Sequence, residues 1–187
     1  MSDLRLSFAC GNYDRMEALR NGVVEIDGID LDYIEIKAPR EIFDRMVQNH
    51  EFDVSEMSSA EFVSMTAKGD NPFVGLPVFP SKCFRHGFIC INRNAGIETP
   101  KDLEGRRIGT PLYTQSAMIY IRGDLQHEYD VDLNTIHWVQ GAVEKSGSHG
   151  HPEPPELLEP VDIEINTSEF SLSEMLAAGE IDAICGS

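Results

Sequence analysis

From Leu4 to Cys10 apolar residues recur at every second position, with Arg5 and Ser7 between them, which is the period of a strand with one buried face. Gly11-Asn12 supplies a turn and an N-cap for a short helix over 13–20, closed by Asn21-Gly22. After the Asp27-Gly28 turn the alternation returns over 29–36. Pro39 then opens a helix through about His50, with Ile42, Phe43, Met46 and Val47 on one face. A short strand is predicted over 52–57. Ser58 and Glu61 have capping-box spacing at the head of a helix that ends near Lys68-Gly69.

The second half continues the alternation. Residues 73–79 and 84–91 read as two strands separated by Pro80-Ser81-Lys82-Cys83, and Thr99-Pro100 caps a helical turn. A strand end over 107–110 leads to a long helix from Gln115 to about Tyr129, and 136–141 is a further strand. Residues 145–160, rich in Gly, Ser, His and Pro, read as a loop. Strand 161–165, helix 171–179 with Leu172, Met175 and Leu176 inward, and strand 181–185 complete the pattern. Strands alternating with helices throughout predict an α/β fold with mostly parallel sheets.

Composition sharpens this. The 187 residues carry 15 Lys plus Arg against 32 Asp plus Glu, a net charge of −17, with 41% hydrophobic residues, which is globular and not disordered. No Lys or Arg follows Lys145, so the acidic excess is concentrated at the C-terminal end, where it reads as a solvated surface. A phosphate backbone would be repelled, which argues against a nucleic-acid partner. No apolar run approaches the about 18 residues of a membrane span, and the first residues lead directly into a strand, so a cytoplasmic protein is expected. Cys10, Cys83, Cys90 and Cys185 lack CxxC spacing, predicting reduced and mostly buried thiols without a zinc site.

Four segments, residues 9–15 (Ala-Cys-Gly-Asn-Tyr-Asp-Arg), 27–31 (Asp-Gly-Ile-Asp-Leu), 78–86 (Val-Phe-Pro-Ser-Lys-Cys-Phe-Arg-His) and 137–141 (His-Trp-Val-Gln-Gly), resemble the 4,5-dihydroxyphthalate decarboxylase family. Residues 100–109 and 175–183 are similar to the wider type II periplasmic-binding-protein superfamily. The resemblance runs from Leu4 to Gly186. It implies a two-lobed, periplasmic-binding-protein-like α/β fold with a ligand cleft and a hinge near 84–91. The first lobe is expected over 1–87 and the second over 88–187. In that architecture the chain crosses back a second time to complete the first lobe; that second crossover is missing here, so a C-terminally truncated fragment is expected.

In such a fold the first β-turn-α unit offers backbone N–H groups to an anion, with Asn12 and Tyr13 at its mouth. Arg15 and Arg85 are the candidates to pair a carboxylate, Arg15 being equally readable as a surface partner of Asp14 or Glu17. His86, next to a cation and titrating near neutrality, is the leading acid–base candidate, with Arg85 and Tyr13 beside it as catalytic residues. Tyr113, Thr114, Gln115 and Ser116 form a strand-to-helix turn suited to a second carboxylate. The family carries an acidic residue before this tyrosine where Leu112 stands, which leaves the exact substrate open.

His137 and Trp138 are placed to line the site, with packing the alternative for Trp138. Glu144 reads either as a ligand-orienting group or as a solvated acid. Cys10 reads either as an activated thiol or as a buried one. His149 and His151 lack partners at metal-ligand spacing, and no phosphate-binding loop occurs, so neither metal nor cofactor is expected.

The resemblance implies a carboxy-lyase that converts 4,5-dihydroxyphthalate to 3,4-dihydroxybenzoate and carbon dioxide. The partner expected is thus a small aromatic carboxylate, with a homo-oligomer also compatible. The alternatives are a solute-binding protein of an ABC transporter, or another cytoplasmic enzyme on the same fold related to the menaquinone or thiamine pathways.

Overall fold

Parallel strands joined by helices build both parts of the chain. The computed structural model describes residues 3–147 and 157–186. It divides into unit 1, Met1–Cys83, and unit 2, Phe84–Ser187.

In unit 1, β1 (Leu4–Cys10) is the central strand, flanked by β2 (Ile29–Glu35) and the short β3 (Val54–Ser55), all parallel. The β1–β2 register runs from Leu4 opposite Ile29 to Cys10 opposite Glu35, and Ala9 faces Ser55 across the other edge. Thus all three strands end on the same side. A 3₁₀ turn, Asp14–Met16, and α1 (Glu17–Arg20) follow β1. Helix α2 (Pro39–Asn49) begins with Pro at its first turn and stops where His50 turns left-handed, at φ 50°. Helix α3 (Ser59–Lys68) is capped by the Ser58 hydroxyl, which accepts from the Glu61 N–H. The core is Ala9, Ile36, Ile42, Met46 and Phe52; Ile42 and Met46 lie on the face predicted for α2, whereas Leu4, on the predicted buried face of β1, is 60% exposed and Ala9 is buried instead.

In unit 2 the sheet order is β4-β8-β5-β6-β7, with β4 (Ile89–Ile91), β5 (Arg107–Thr110), β6 (His137–Gln140), β7 (Ile163–Ile165) and β8 (Ala183–Cys185). β4 runs antiparallel to β8, and the other pairs are parallel. Alternation sends Ile108 and Trp138 to one face under α4 (Ser116–His127). Val139 and Ile184 go to the other, under α5 (Leu172–Ala178). A reciprocal Ser171–Glu174 capping box starts α5, and Gly179 ends it at φ 78°, a conformation that side chains other than glycine's adopt at a cost.

Two expectations fail. Residues 73–79 form no strand: Pro72, Pro77 and Pro80 supply no N–H for a ladder, and Val74 (89% exposed), Leu76, Val78 and Phe79 stand in solvent. Only the last three residues of 84–91 are a strand, because His86–Phe88 tighten into a 3₁₀ turn. The thiols also divide: Cys10 and Cys185 are buried, while Cys83 and Cys90 are exposed.

Candidate functional site

The carboxyl ends of parallel strands are where turn N–H groups and side chains converge without ladder partners. In unit 1 those ends carry Gly11, Asn12 and Tyr13 after β1, Glu35 at the end of β2, and Glu56 after β3. The β1–β3 pairing brings Glu56 under the first turn. Its Oε1 accepts the Gly11 N–H at 2.8 Å, and its Oε2 accepts the Tyr13 hydroxyl at 2.9 Å. Glu56 is only 8% exposed, and burial raises its pKa above the ordinary carboxylate value despite these two donors. Burial and the neighbouring Glu56 likewise raise the Tyr13 phenol, so it stays protonated at neutral pH.

Gly11 is required for this closeness. A Cβ there would lie 2.9 Å from Tyr13 Cε2 and 3.1 Å from Glu56 Oε1. Tyr33, on β2, donates to the Gly11 carbonyl at 3.2 Å and fixes the other side of the turn.

Asn12 belongs to a second network. Its amide donates to Glu35 Oε1 at 3.2 Å, while Arg20 from α1 donates both to the Asn12 oxygen and, at 2.9 Å, to Glu35 Oε2. Arg15 pairs with Asp14 at 3.6 Å and donates to the Pro80 carbonyl, which agrees with the surface reading of this residue. Cys10 is fully buried and its thiol is pushed up to about 11, mainly by that burial, so the activated-thiol alternative is lost.

In unit 2 the turn 111–115 follows β5 and leads into α4. Gln140, the last residue of β6, holds the turn through its side-chain oxygen, which accepts the Tyr113 N–H at 2.9 Å. Arg122, on the second turn of α4, reaches back toward the helix N-terminus, donates to the Tyr113 carbonyl and stacks 3.7 Å from the Tyr113 ring centroid. Burial lowers its pKa, a sign that the cation is desolvated. Tyr113, Thr114 and Gln115 therefore share one turn with a guanidinium behind it.

Trp138, expected at the site, is instead 1% exposed and meets the Tyr113 ring edge-on at 5.6 Å, in the packing role. His137 opens β6 at its amino end and binds Asp162, away from the carboxyl ends. Glu144 is a solvated acid.

Arg85 and His86 do not join this turn. Arg85 stacks on Phe88 at 5.0 Å. The His86 ring meets Tyr129 at 6.1 Å and borders a mostly apolar cavity of about 260 Å³ with Ile89, Thr99, Leu103 and Leu125. Tyr129 and Tyr113 lie beyond opposite ends of α4, a helix of 12 residues and therefore roughly 18 Å long. His86 consequently sits at the far end of that helix from Tyr113. Adjacency in sequence to Arg85 gave no indication of this.

Glu56 and Arg122 are the groups that sequence reasoning missed. Glu56 carried one readable signal, an acid within the short strand predicted over 52–57. Arg122 carried none, since an arginine on a helix is ordinarily a surface residue. Among the described residues no group of three or more His, Cys, Asp or Glu converges as metal ligands would, and no helix is long and apolar enough to cross a membrane. His149 and His151 lie outside the described residues.

Comparison with known proteins places these sites in context. The family model described as NMT1/THI5 like matches residues 18–145. The chain is 38% identical over 194 residues to the 4,5-dihydroxyphthalate decarboxylase of Comamonas testosteroni, covering all of this chain and 56% of that protein. It is also 38% identical over 188 residues to the 4,5-dihydroxyphthalate decarboxylase of Pseudomonas putida, with 71% of that protein covered. The chain thus spans little more than half of the first relative and about seven-tenths of the second.

Among solved structures, the periplasmic aliphatic sulphonate binding protein SsuA from Escherichia coli matches with a TM-score of 0.57 at 12% identity. That match covers 98% of this chain and 54% of the other. At that identity the likeness is one of fold, the periplasmic-binding-protein-like α/β fold with mostly parallel sheets.

Proposed function

The chain belongs to the NMT1/THI5-like family and to that of the 4,5-dihydroxyphthalate decarboxylases, and from this premise we infer that it is a carboxy-lyase acting on a hydroxylated aromatic dicarboxylate. The reaction proposed is release of carbon dioxide from 4,5-dihydroxyphthalate to leave 3,4-dihydroxybenzoate. The observation that carries this reading is 38% identity to two such decarboxylases, spread over the whole of this chain. The fold alone would not choose an enzyme over a solute receptor, because one architecture hosts both.

Each hydroxyl of this substrate lies para to a carboxylate. Ionising it pushes electron density toward the carbon that loses carbon dioxide, and that carbon then needs a proton. The reading is supported in unit 1 by Tyr13, a phenol at the mouth of the sheet with a buried carboxylate behind it. It is supported in unit 2 by the turn 111–115, where backbone N–H groups, the α4 N-terminus and the desolvated Arg122 suit a carboxylate. Arg85 and His86, at the other end of α4, receive no part in this reading.

The test is direct. Purified chain incubated with 4,5-dihydroxyphthalate is expected to release carbon dioxide and 3,4-dihydroxybenzoate in equal amounts, while phthalate, which has no hydroxyls, is left unchanged. Tight binding of the dihydroxy compound without any turnover would favour a receptor and remove the decarboxylase reading.

A further inference from the structure

We propose that Tyr13 and Glu56 form a proton relay that accepts the proton of a ring hydroxyl of the bound substrate and later returns it; this deepens, and rests on, the decarboxylase reading above. Glu56 is the one charged side chain among the buried residues described, the other buried polar residues being Ser58, Thr110 and Ser171. Glu61, a half-buried carboxylate of unit 1, has a cation, Arg40. The Glu56 oxygens are met by a peptide N–H and a phenol. A glutamine would serve the Gly11 N–H equally well and would spare the cost of burying a charge. Carrying an ionisable acid there is explained by the proton that it can take up.

The surroundings leave Glu56 as the titrating member of the cluster. The groups facing it are Cys10 on β1, Tyr13 on the turn and Tyr33 on β2. Burial raises all three, so each stays protonated through neutral pH. The same burial strengthens Glu56 as a base. Tyr13 is half-buried; its hydroxyl donates to Glu56, takes a hydrogen bond from Ser81 and has a lone pair left for a ligand hydroxyl.

The relay balances as follows. The substrate O–H proton passes to the Tyr13 oxygen as Tyr13's own proton passes to Glu56. The ring carbon para to that oxygen takes a proton from water, leaving hydroxide and a dienone. The bond from this carbon to its carboxylate then breaks, carbon dioxide leaves, and the electron pair returns through the ring to the oxygen. Glu56 gives its proton back through Tyr13. Tyr13 is thus the catalytic residue that touches substrate, and Glu56 is a positioning residue that acts through it.

The experiment reads ionisation of a bound catechol. The full chain is titrated with 4-nitrocatechol, whose visible absorption changes when a hydroxyl ionises, and the pH dependence of that absorption is recorded. In the unsubstituted protein the bound probe is expected to ionise about tenfold more readily than the free probe, a shift of roughly one pH unit. Glu56→Gln and Tyr13→Phe should each bind the probe and lose the shift, while Glu56→Asp should recover part of it. Tyr13→Phe carries the test if Glu56→Gln fails to fold.

A shift that survives in either variant overturns the proposal, as does a failure of the unsubstituted chain to bind or to ionise the probe. Carbon dioxide release from 4,5-dihydroxyphthalate is followed in parallel. A shifted probe without release would sink the decarboxylase reading and keep the relay; full release by Glu56→Gln would sink the relay and keep the reading.

Discussion

Unit 1 and unit 2 are built on the same alternation of strand and helix, yet they put different things in their interiors. Unit 2 packs an apolar cluster on each face of its sheet, one around Ile108, Met118, Ile121, Leu125 and Trp138, the other around Val139, Leu172 and Ile184. Unit 1 has a smaller core of Ala9, Ile36, Ile42, Met46 and Phe52, and next to it a buried carboxylate hydrogen-bonded into the first turn. The contrast is between a unit stabilised chiefly by burial and one that keeps an ionisable group inside. Burial of apolar area favours the fold at any pH, whereas a buried acid makes stability depend on pH.

The largest effect expected comes from cutting into unit 2. Trp138 is the single tryptophan of the chain and is fully enclosed. Trp138→Ala should cost about 3–5 kcal/mol, read as a lower urea midpoint by far-ultraviolet circular dichroism. The buried indole N–H meets no acceptor among the described residues, so Trp138→Phe loses no hydrogen bond and should cost distinctly less. Equal losses in the two variants would show that the indole N–H, and not its volume, is what unit 2 needs.

Ile42→Ala, in α2 of unit 1, should cost about 2–5 kcal/mol. Because Trp138 lies in unit 2, its fluorescence is expected to keep its urea midpoint in this variant while the circular-dichroism transition moves. A fluorescence midpoint that falls together with the circular dichroism would break the comparison, since the two cores would then be failing as one.

Much of this architecture was legible as periodicity. Alternation marked β1 and β2, and the apolar stripe with Pro39 marked α2. Ser58 and Glu61 stood at capping distance at the head of α3, and the Ser58 hydroxyl does accept the Glu61 N–H. What failed was non-local or depended on missing donors. Residues 73–79 are apolar enough for a strand, but Pro77 removes an N–H group from the middle of the segment, and Pro72 and Pro80 bound it on either side.

Glu56 looked like one acid among many in an acidic chain. Its importance comes from a parallel pairing that joins it to Gly11 across 45 positions. Arg122 is hidden for the opposite reason, because its guanidinium leaves the face its Cα occupies and returns to Tyr113.

A smaller but more selective change is Gly11→Ala. The added methyl group would press on the Tyr13 ring and on Glu56 Oε1, and both belong to a hydrogen-bonded turn that cannot swing away freely. A cost of about 1–3 kcal/mol is expected in unit 1, with the Trp138 fluorescence midpoint unchanged. The sharper readout is functional: carbon dioxide release should fall further than stability does. A variant that is fully active would show that the Gly11, Tyr13 and Glu56 arrangement is dispensable.

The smallest effect is also the one that separates Glu56 by sign from the other shifted carboxylates, Glu51 and Asp53 of unit 1 included. Burial holds the Glu56 carboxyl above its ordinary value of 4.5, so between that pH and its folded value the native state binds more protons than the unfolded chain. Stability from this group is therefore present at low pH and is lost as pH rises through the folded value. Asp102, Glu104 and Glu174 in unit 2 shift the other way, held down mainly by backbone N–H donors. Their contribution is present above the ordinary carboxylate range and is lost only in acid. As pH rises above the ordinary carboxylate value the carboxylate contribution to the circular-dichroism transition of unit 1 should thus decline, while that to the Trp138 transition of unit 2 stays level. Glu56→Gln should abolish the decline in unit 1 and leave unit 2 untouched, and a decline that persists in this variant would assign it to some group other than Glu56.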